Sequence, residues 1–294
     1  MFIEQALTGK NNWSLYILTV LIVFLIMQIA SLPLLIYMLI TTPETLQNGM
    51  LDTVTDTNLG LVLTLLTFVA GFFALFFCVK YIHRKNYLDI VTSRPKFNWQ
   101  RFFFGAGVWA ILTLITLSIT IYTRENNEII LQFNFLTFIG LAIISLLLLP
   151  FQTAFEEIMF RGYLMQGFAL FFKSRWISFV LVALLFGIMH SANPEVKNFG
   201  AEVTLPQYIT MGLLLGFIAL KDEGLELAIG LHAANNILAA LTFTSDSSAL
   251  QTHALFKDLS PSASHLDTLI LLIAGIIFIA ICNRKYHFLH DELK

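Results

Sequence analysis

The sequence predicts an all-α protein embedded in a membrane, with eight transmembrane helices. Of its 294 residues, 57% are hydrophobic and only 12% are charged, whereas soluble domains carry about 25% charged residues. Apolar runs near the ~20 residues that a helix needs to cross a bilayer recur along the chain. The net charge of −2, with no basic stripe, predicts no nucleic-acid partner. The bilayer itself is the first partner that the composition indicates.

The apolar runs divide into four long ones and four shorter ones. The predicted spans are residues 13–40, 59–79, 102–122, 133–155, 176–189, 203–220, 225–243 and 266–282. The first run is too long for the roughly 7–15-residue core of a signal peptide, so we interpret it as a retained span. Pro33 lies inside it and predicts a kink.

The distribution of Lys and Arg predicts the orientation of the chain. If the N-terminus lies in the cytoplasm, 14 of the 17 Lys and Arg residues fall in cytoplasmic segments and 3 fall outside. Cytoplasmic loops of membrane proteins carry such an excess. The sequence therefore predicts that both termini are cytoplasmic, and the lack of a eukaryotic targeting signal favours a bacterial cytoplasmic membrane.

The later runs differ from the first three, because they contain ionisable residues. A charge at mid-helix in a bilayer costs roughly 2.5–3.5 kcal/mol. Glu156, Glu157 and Arg161 lie together after the fourth run. Glu157 and Arg161 are four residues apart with the acid first, which favours a pair on a helix. We therefore interpret Glu157 and Arg161 as a support pair and Glu156 as the carboxylate available for chemistry.

Two further pairs of residues have helical spacing. Phe186 and His190 share a helix face, and Pro194 predicts that this helix ends near His190. His232 and Asn236 are four residues apart within the seventh run. Taken alone, each pair is compatible with a helix cap or an interhelical hydrogen bond.

Taken together, these residues are the group types that hydrolyse an amide. Glu156, His190, His232 and Asn236 provide a general base for water and donors for an oxyanion. Glu156, His190 and His232 would also form a zinc set with an open fourth position. Spacing does not decide between metal-free and zinc-assisted chemistry, and the helical zinc motif HExxH is absent. No cofactor is therefore predicted firmly, and zinc stays as the alternative.

The three pairs also resemble a known family. Glu-Glu-x-x-x-Arg at 156–161, Phe-x-x-x-His at 186–190 and His-x-x-x-Asn at 232–236 resemble the three motifs of the CPBP family of CAAX proteases and bacteriocin-processing (Abi) proteins. Their order and spacing match the family pattern across residues 133–243. The resemblance implies an intramembrane endopeptidase similar to the eukaryotic Ras-converting CAAX enzyme. The family is described as metalloproteases, whereas the structural view of its best-known members favours a metal-free mechanism that depends on glutamate.

The resemblance implies a role for each motif residue. Glu156 and His190 activate water, and His232 and Asn236 stabilise the oxyanion. From the residues themselves we assign a supporting role to Glu157, Arg161 and Phe186, with the Glu157–Arg161 pair also able to steer a substrate carboxylate. The substrate is then a peptide or a lipidated protein; the oligomeric state is not predicted.

The expected organisation follows from this assignment. Residues 1–132 form a three-span scaffold, residues 133–243 the catalytic core, and residues 244–294 an outer loop and the last span. We expect a deep cavity between spans four to seven that opens to the cytoplasm. If each span crosses the bilayer from end to end, Glu156 lies at the cytoplasmic edge and His190 lies nearer the opposite face of the membrane. The site can therefore form only if the fourth helix runs past Phe155 or the fifth helix is tilted or starts lower.

Two other functions were weighed against the peptidase. One is a non-catalytic bacteriocin-immunity or scaffold protein with the same fold. The other is a transporter, which would favour polar residues along a pathway and repeated halves of the sequence. The polar residues cluster in three motifs instead, and no repeat is visible. A complete set of acid, imidazoles and amide favours the peptidase over both.

Overall fold

The structure is a computed structural model that describes residues 1–41, 57–123 and 128–289. The protein is mostly helical (76%). The predicted cytoplasmic C-terminus, residues 290–294, lies outside the described ranges. The main helices are α1 (Trp13–Ala30), α2 (Leu32–Thr41), α3 (Asn58–Phe77), α4 (Trp99–Thr123), α5 (Phe135–Glu157), α6 (Met165–Phe172), α7 (Arg175–Met189), α8 (Pro194–Phe199), α9 (Ala201–Lys221), α10 (Glu226–Thr242) and α11 (His265–Tyr286).

Every predicted span coincides with helix in the structure. Within the described ranges, six helical stretches are long and apolar enough to cross a membrane. These stretches are Trp13–Thr41, Asn58–Ile82, Trp99–Thr123, Phe135–Phe172, Ala201–Lys221 and His265–Tyr286. The protein is therefore a polytopic helical membrane protein. The predicted fifth and seventh spans correspond to the shorter helices α7 and α10, and their crossing of the bilayer stays a prediction.

Proline residues account for two of the helix ends. Helix α1 ends at Ala30, and α2 begins at Leu32, directly before Pro33. Helix α7 ends at Met189, and Pro194 is the first residue of α8. Proline suits the first turn of a helix because its missing N–H has no intrahelical partner there. The kink predicted at Pro33 and the helix end predicted before Pro194 are both confirmed.

The fourth hydrophobic helix does not stop at Phe155. Helix α5 passes at Glu157 into a π-helical segment, Ile158–Leu164, which leads without a break into α6. The chain then leaves the helix at Lys173, whose φ is 52°. Widened π turns inside helices are often found at functional sites. The fourth helix thus runs past Phe155, which is one of the two conditions under which the three motifs were expected to meet.

Helix α10 lies at the centre of the second half of the chain. It packs against α4 on one side and α5 on the other, while α7 packs against α9. The approach of α4 and α10 depends on glycine, because a Cβ at Gly105 would stand 2.7 Å from the carbonyl oxygen of Leu227. Small residues let membrane helices approach closely in this way. The buried first turns of α10 thus face the glutamates at the end of α5.

A small sheet, which the sequence did not predict, joins the segment after α4 to the predicted outer loop that follows α10. Strand β1 (Ile129–Leu131) pairs antiparallel with β3 (Phe256–Asp258), in the register Ile130 opposite Lys257. Strand β2 (Phe243–Thr244) pairs parallel with β3. The sheet order is therefore β1-β3-β2. It links the segment after α4 to the end of α10, and so supports the far end of the helix that carries His232.

Candidate active site

The two adjacent glutamates, for which the sequence predicts different roles, have different surroundings. Glu157 is fully buried. Its Oε1 accepts hydrogen bonds from Arg161 Nη1 at 2.9 Å and from His232 Nδ1 at 2.8 Å. The predicted Glu157–Arg161 pair is therefore present. The bond from His232 was not predicted, because it depends on the contact between α5 and α10.

Arg161 is held by its surroundings on three sides. It is fully buried, and its Nη2 donates to the carbonyl oxygen of Gly212 at 3.3 Å. Its guanidinium carbon lies 4.2 Å from the centre of the Phe186 ring, a cation–π contact. Both Arg161 and Glu157 are therefore sealed from solvent.

Glu156 is the more accessible of the two carboxylates. It lies at 9% exposure, and its Oε1 accepts a hydrogen bond from Gln152 Nε2 at 3.1 Å. Its Oε2 lies 3.8 Å from His232 Nε2, which is longer than a hydrogen bond. A gap of this size suits a water molecule or a reacting group close to both atoms.

The proton positions on His232 follow from its partner. A carboxylate only accepts hydrogen bonds, so the contact with Glu157 requires a proton on His232 Nδ1. His232 Nε2 then faces Glu156. This orientation leaves Nε2 directed at the same space as the free oxygen of Glu156.

His190 is oriented by the end of its own helix. It is the C-cap residue of α7, and its Nδ1 lies 2.7 Å from the carbonyl oxygen of Phe186. Since a carbonyl only accepts, Nδ1 carries the proton, and Nε2 of the neutral ring keeps a lone pair. The ring stacks on Tyr208, with centroids 4.3 Å apart and planes 21° apart. The Tyr208 hydroxyl in turn accepts from Asn193 Nδ2 at 3.0 Å.

Phe186 lies between the two imidazoles. Its ring centre is 4.5 Å from that of His190 and 6.2 Å from that of His232. The guanidinium carbon of Arg161, from the first motif, lies 4.2 Å from the centre of the same ring. The three motifs, which are far apart in the sequence, therefore meet around one aromatic ring.

Asn236 reaches the same site through a residue that the sequence analysis did not single out. Its Nδ2 lies 3.5 Å from Gln152 Oε1, and Gln152 also contacts Glu156. Gln152 and Glu156 are four residues apart on α5, and this spacing was the signal in the sequence. Gln152 could have been predicted as a site residue for this reason, because it is a polar residue in an apolar run, one helical turn before Glu156.

The arrangement does not fit the zinc alternative. Within the described ranges, no group of three or more His, Cys, Asp or Glu side chains is placed to hold a metal ion. Glu156 Oε2 and His232 Nε2 approach only to 3.8 Å, and the Phe186 ring lies between His190 and His232.

Comparisons with known proteins give one family match and one curated relative. Residues 135–238 match the family model "Type II CAAX prenyl endopeptidase Rce1-like", a range that contains all three motifs. The uncharacterized protein YyaK of Bacillus subtilis (strain 168) is 32% identical over 170 residues, which cover 58% of this chain and 56% of YyaK. The chain thus spans little more than half the length of that relative. No solved structure matches this chain.

Proposed function

We propose, from the match of residues 135–238 to the Rce1-like family of type II CAAX prenyl endopeptidases, that this membrane protein is an intramembrane endopeptidase. Its substrate would be a peptide or a lipidated protein held at the bilayer. The observation that carries the proposal is the approach of Glu156 Oε2 to His232 Nε2, at 3.8 Å, with Asn236 linked to Glu156 through Gln152. A carboxylate, an imidazole and an amide grouped in this way suit the hydrolysis of a peptide bond.

In the proposed first step, Glu156 and His190 activate water. A water molecule near Glu156 Oε2 gives a proton to that carboxylate while its oxygen attacks the carbonyl carbon of the substrate. The lone pair on His190 Nε2 accepts a hydrogen bond from the second O–H of the water, which stays on the attacking oxygen, and so orients the water. The new carbon–oxygen bond forms as the carbonyl π electrons move to the oxygen.

His232 and Asn236 then stabilise the tetrahedral oxyanion. In its protonated form His232 donates from Nε2, while Nδ1 continues to donate to Glu157. The buried carboxylate of Glu157 stabilises the positive ring, and Asn236 Nδ2 supplies a second N–H. The carbon–nitrogen bond breaks when the intermediate collapses, and the proton on Glu156 passes to the leaving amine.

The proposal includes an arrangement in the membrane. Eight spans would place both termini in the cytoplasm, with residues 1–132 as scaffold and residues 133–243 as the catalytic core. A cavity between the fourth and seventh spans would admit the substrate from the cytoplasmic side. The helix that continues to Phe172 supports this arrangement, because it extends the fourth span beyond Glu156.

The test is cleavage of a library of peptides and prenylated peptides by the purified protein in lipid vesicles. Glu156→Gln keeps the shape of the side chain and removes the base, so we expect turnover to fall by at least ~100-fold, the lower end of a general base's contribution. Glu202→Gln is the matched control, because Glu202 is exposed on α9 and should leave turnover unchanged. Each protein is assayed with and without a strong chelator.

The outcomes separate the competing functions. Cleavage that is lost in Glu156→Gln and survives the chelator supports the proposed mechanism. Loss of wild-type cleavage on chelation would replace it with a metal-dependent reaction. A folded wild-type protein that cleaves no member of the library would favour the non-catalytic immunity or scaffold function instead.

A further inference from the structure

A chain of hydrogen bonds connects a buried tryptophan on α4 to the proposed base on α5. Trp109 Nε1 donates to Asn235 Oδ1 at 3.1 Å, and Asn235 Nδ2 donates to Asn236 Oδ1 at 3.2 Å. Asn236 Nδ2 lies 3.5 Å from Gln152 Oε1, and Gln152 Nε2 donates to Glu156 Oε1 at 3.1 Å. Five side chains from three helices therefore form one continuous path.

The two ends of this path fix its direction. The indole of Trp109 has one N–H and no acceptor, so Asn235 must turn its oxygen towards Trp109. The amino group of Asn235 then faces Asn236, which must present its oxygen there and its amino group to Gln152. At the other end an ionised Glu156 only accepts, which requires the amino group of Gln152. The same orientation of every amide satisfies both ends.

We propose that Trp109, Asn235 and Gln152 are positioning residues that hold Asn236 and Glu156 in their reactive orientations. This inference rests on the proposed peptidase function. Asn236 can stabilise an oxyanion only with its N–H groups, because a flipped amide would direct its oxygen at the developing negative charge. The path prevents that flip, since a turned Asn236 would place its oxygen against the oxygen of Gln152 and its amino group against the amino group of Asn235.

The path also holds the base. Gln152 occupies Glu156 Oε1, so that Oε2 is the oxygen left facing His232. Trp109 itself is only 4% exposed, and its indole N–H donates to Asn235. Its proposed role in the reaction is therefore exerted through Asn235.

Trp109→Phe tests the inference in the full-length protein in lipid vesicles. This change keeps an aromatic ring and removes the N–H. Losing one orienting hydrogen bond is expected to lower kcat by about 5- to 10-fold, with KM changed by less than about twofold. The control is Phe278→Leu, because Phe278 packs edge-on against the Trp109 ring with centroids 5.8 Å apart and has no polar group that could take part in the hydrogen bonds of the path. It should loosen the packing around Trp109 without lowering kcat.

The contrary results are equally clear. A kcat unchanged by Trp109→Phe overturns the inference. Equal loss of kcat in Trp109→Phe and Phe278→Leu also overturns it, because packing alone would then explain the effect.

A second measurement does not depend on activity. In protein labelled with ¹⁵N at tryptophan, the Trp109 indole signal should shift in Asn235→Leu and, through the path, in Glu156→Gln. The signals of Trp13, Trp99 and Trp176, all exposed, should stay in place. If the Trp109 signal does not shift in either variant, the proposed path of hydrogen bonds is wrong. The wild type could cleave no peptide while the Trp109 signal still shifts in both variants. In that case the peptidase proposal fails, and the positioning of Asn236 by Trp109 stands.

Discussion

Arg161 is the residue whose loss should cost most in stability. The pair that it forms with Glu157 is fully buried, and breaking a buried ion pair by removing one partner costs about 3–5 kcal/mol. Arg161→Ala should therefore lower the free energy of unfolding by that amount, since His232 alone then faces the charge of Glu157. Thermal unfolding in a fixed lipid or detergent measures the loss.

The matched control for Arg161→Ala is Lys96→Ala, which removes an exposed cation and should change stability by less than about 0.5 kcal/mol. The opposite pattern is informative. If Arg161→Ala unfolds like the wild type and only raises KM, the pair steers the substrate, and its assignment as a support pair is wrong.

The residue-level prediction of the site succeeded where local spacing decides the contact. The Glu157–Arg161 pair spans one helical turn, and Phe186 and His190, which were predicted to share a helix face, lie one turn apart with ring centroids 4.5 Å from each other. The bond from His232 to Glu157 joins positions 75 residues apart. No periodicity within either helix specifies that contact, so the orientation of His232 could be read only from the packing of α10 on α5.

At the level of helices, the contact between α4 and α10 should tolerate little added volume. A Cβ at Gly230 would clash with the backbone carbonyl of Phe102, and the amide nitrogen of Ala106 would lie only 3.0 Å away. Backbone atoms cannot move aside as a flexible side chain can. Gly230→Ala should therefore push α10 away from α4, at a cost of about 1–3 kcal/mol.

This displacement should also affect the proposed reaction, because Gly230 lies two residues before His232 on the same helix. We expect Gly230→Ala to lower both the melting temperature and kcat. Gly107→Ala is the control on α4, since a Cβ there would meet no atom within 4 Å. Alanine is the better helix former by about 1 kcal/mol, so Gly107→Ala should be neutral or stabilising. Equal destabilisation by both changes would contradict the close approach at Gly230.

The helices themselves were largely predictable, and their ends were less so. Apolar runs and the two prolines Pro33 and Pro194 located the helices, because the bilayer requires long apolar segments with internally satisfied backbones. Hydropathy ended the fourth span near Phe155, since Glu156, Glu157 and Arg161 interrupt the apolar run. The helix continues because those charges find partners within the protein, and hydropathy carries no information about such partners.

For the whole molecule, the number of spans rests on the two shorter helices α7 and α10. Cysteine labelling can test each of them in a background lacking Cys78 and Cys282, using a maleimide that does not cross membranes. Three exposed positions serve as probes: Gln100 at the start of α4, Asn198 after α7, and His253 after α10. With eight spans, Gln100→Cys should be labelled only after the cells are permeabilised, whereas Asn198→Cys and His253→Cys should be labelled in intact cells.

The pattern of labelling identifies which helix fails to cross. Three predicted spans separate Gln100 from Asn198, and one of them is α7. If α7 does not cross, these two probes will fall on the same side. Two predicted spans, α9 and α10, separate Asn198 from His253, so that opposite labelling of this pair would mean that α10 does not cross. Because the proposed site takes His190 from the end of α7 and His232 from α10, either failure would require a different route for the substrate to Glu156.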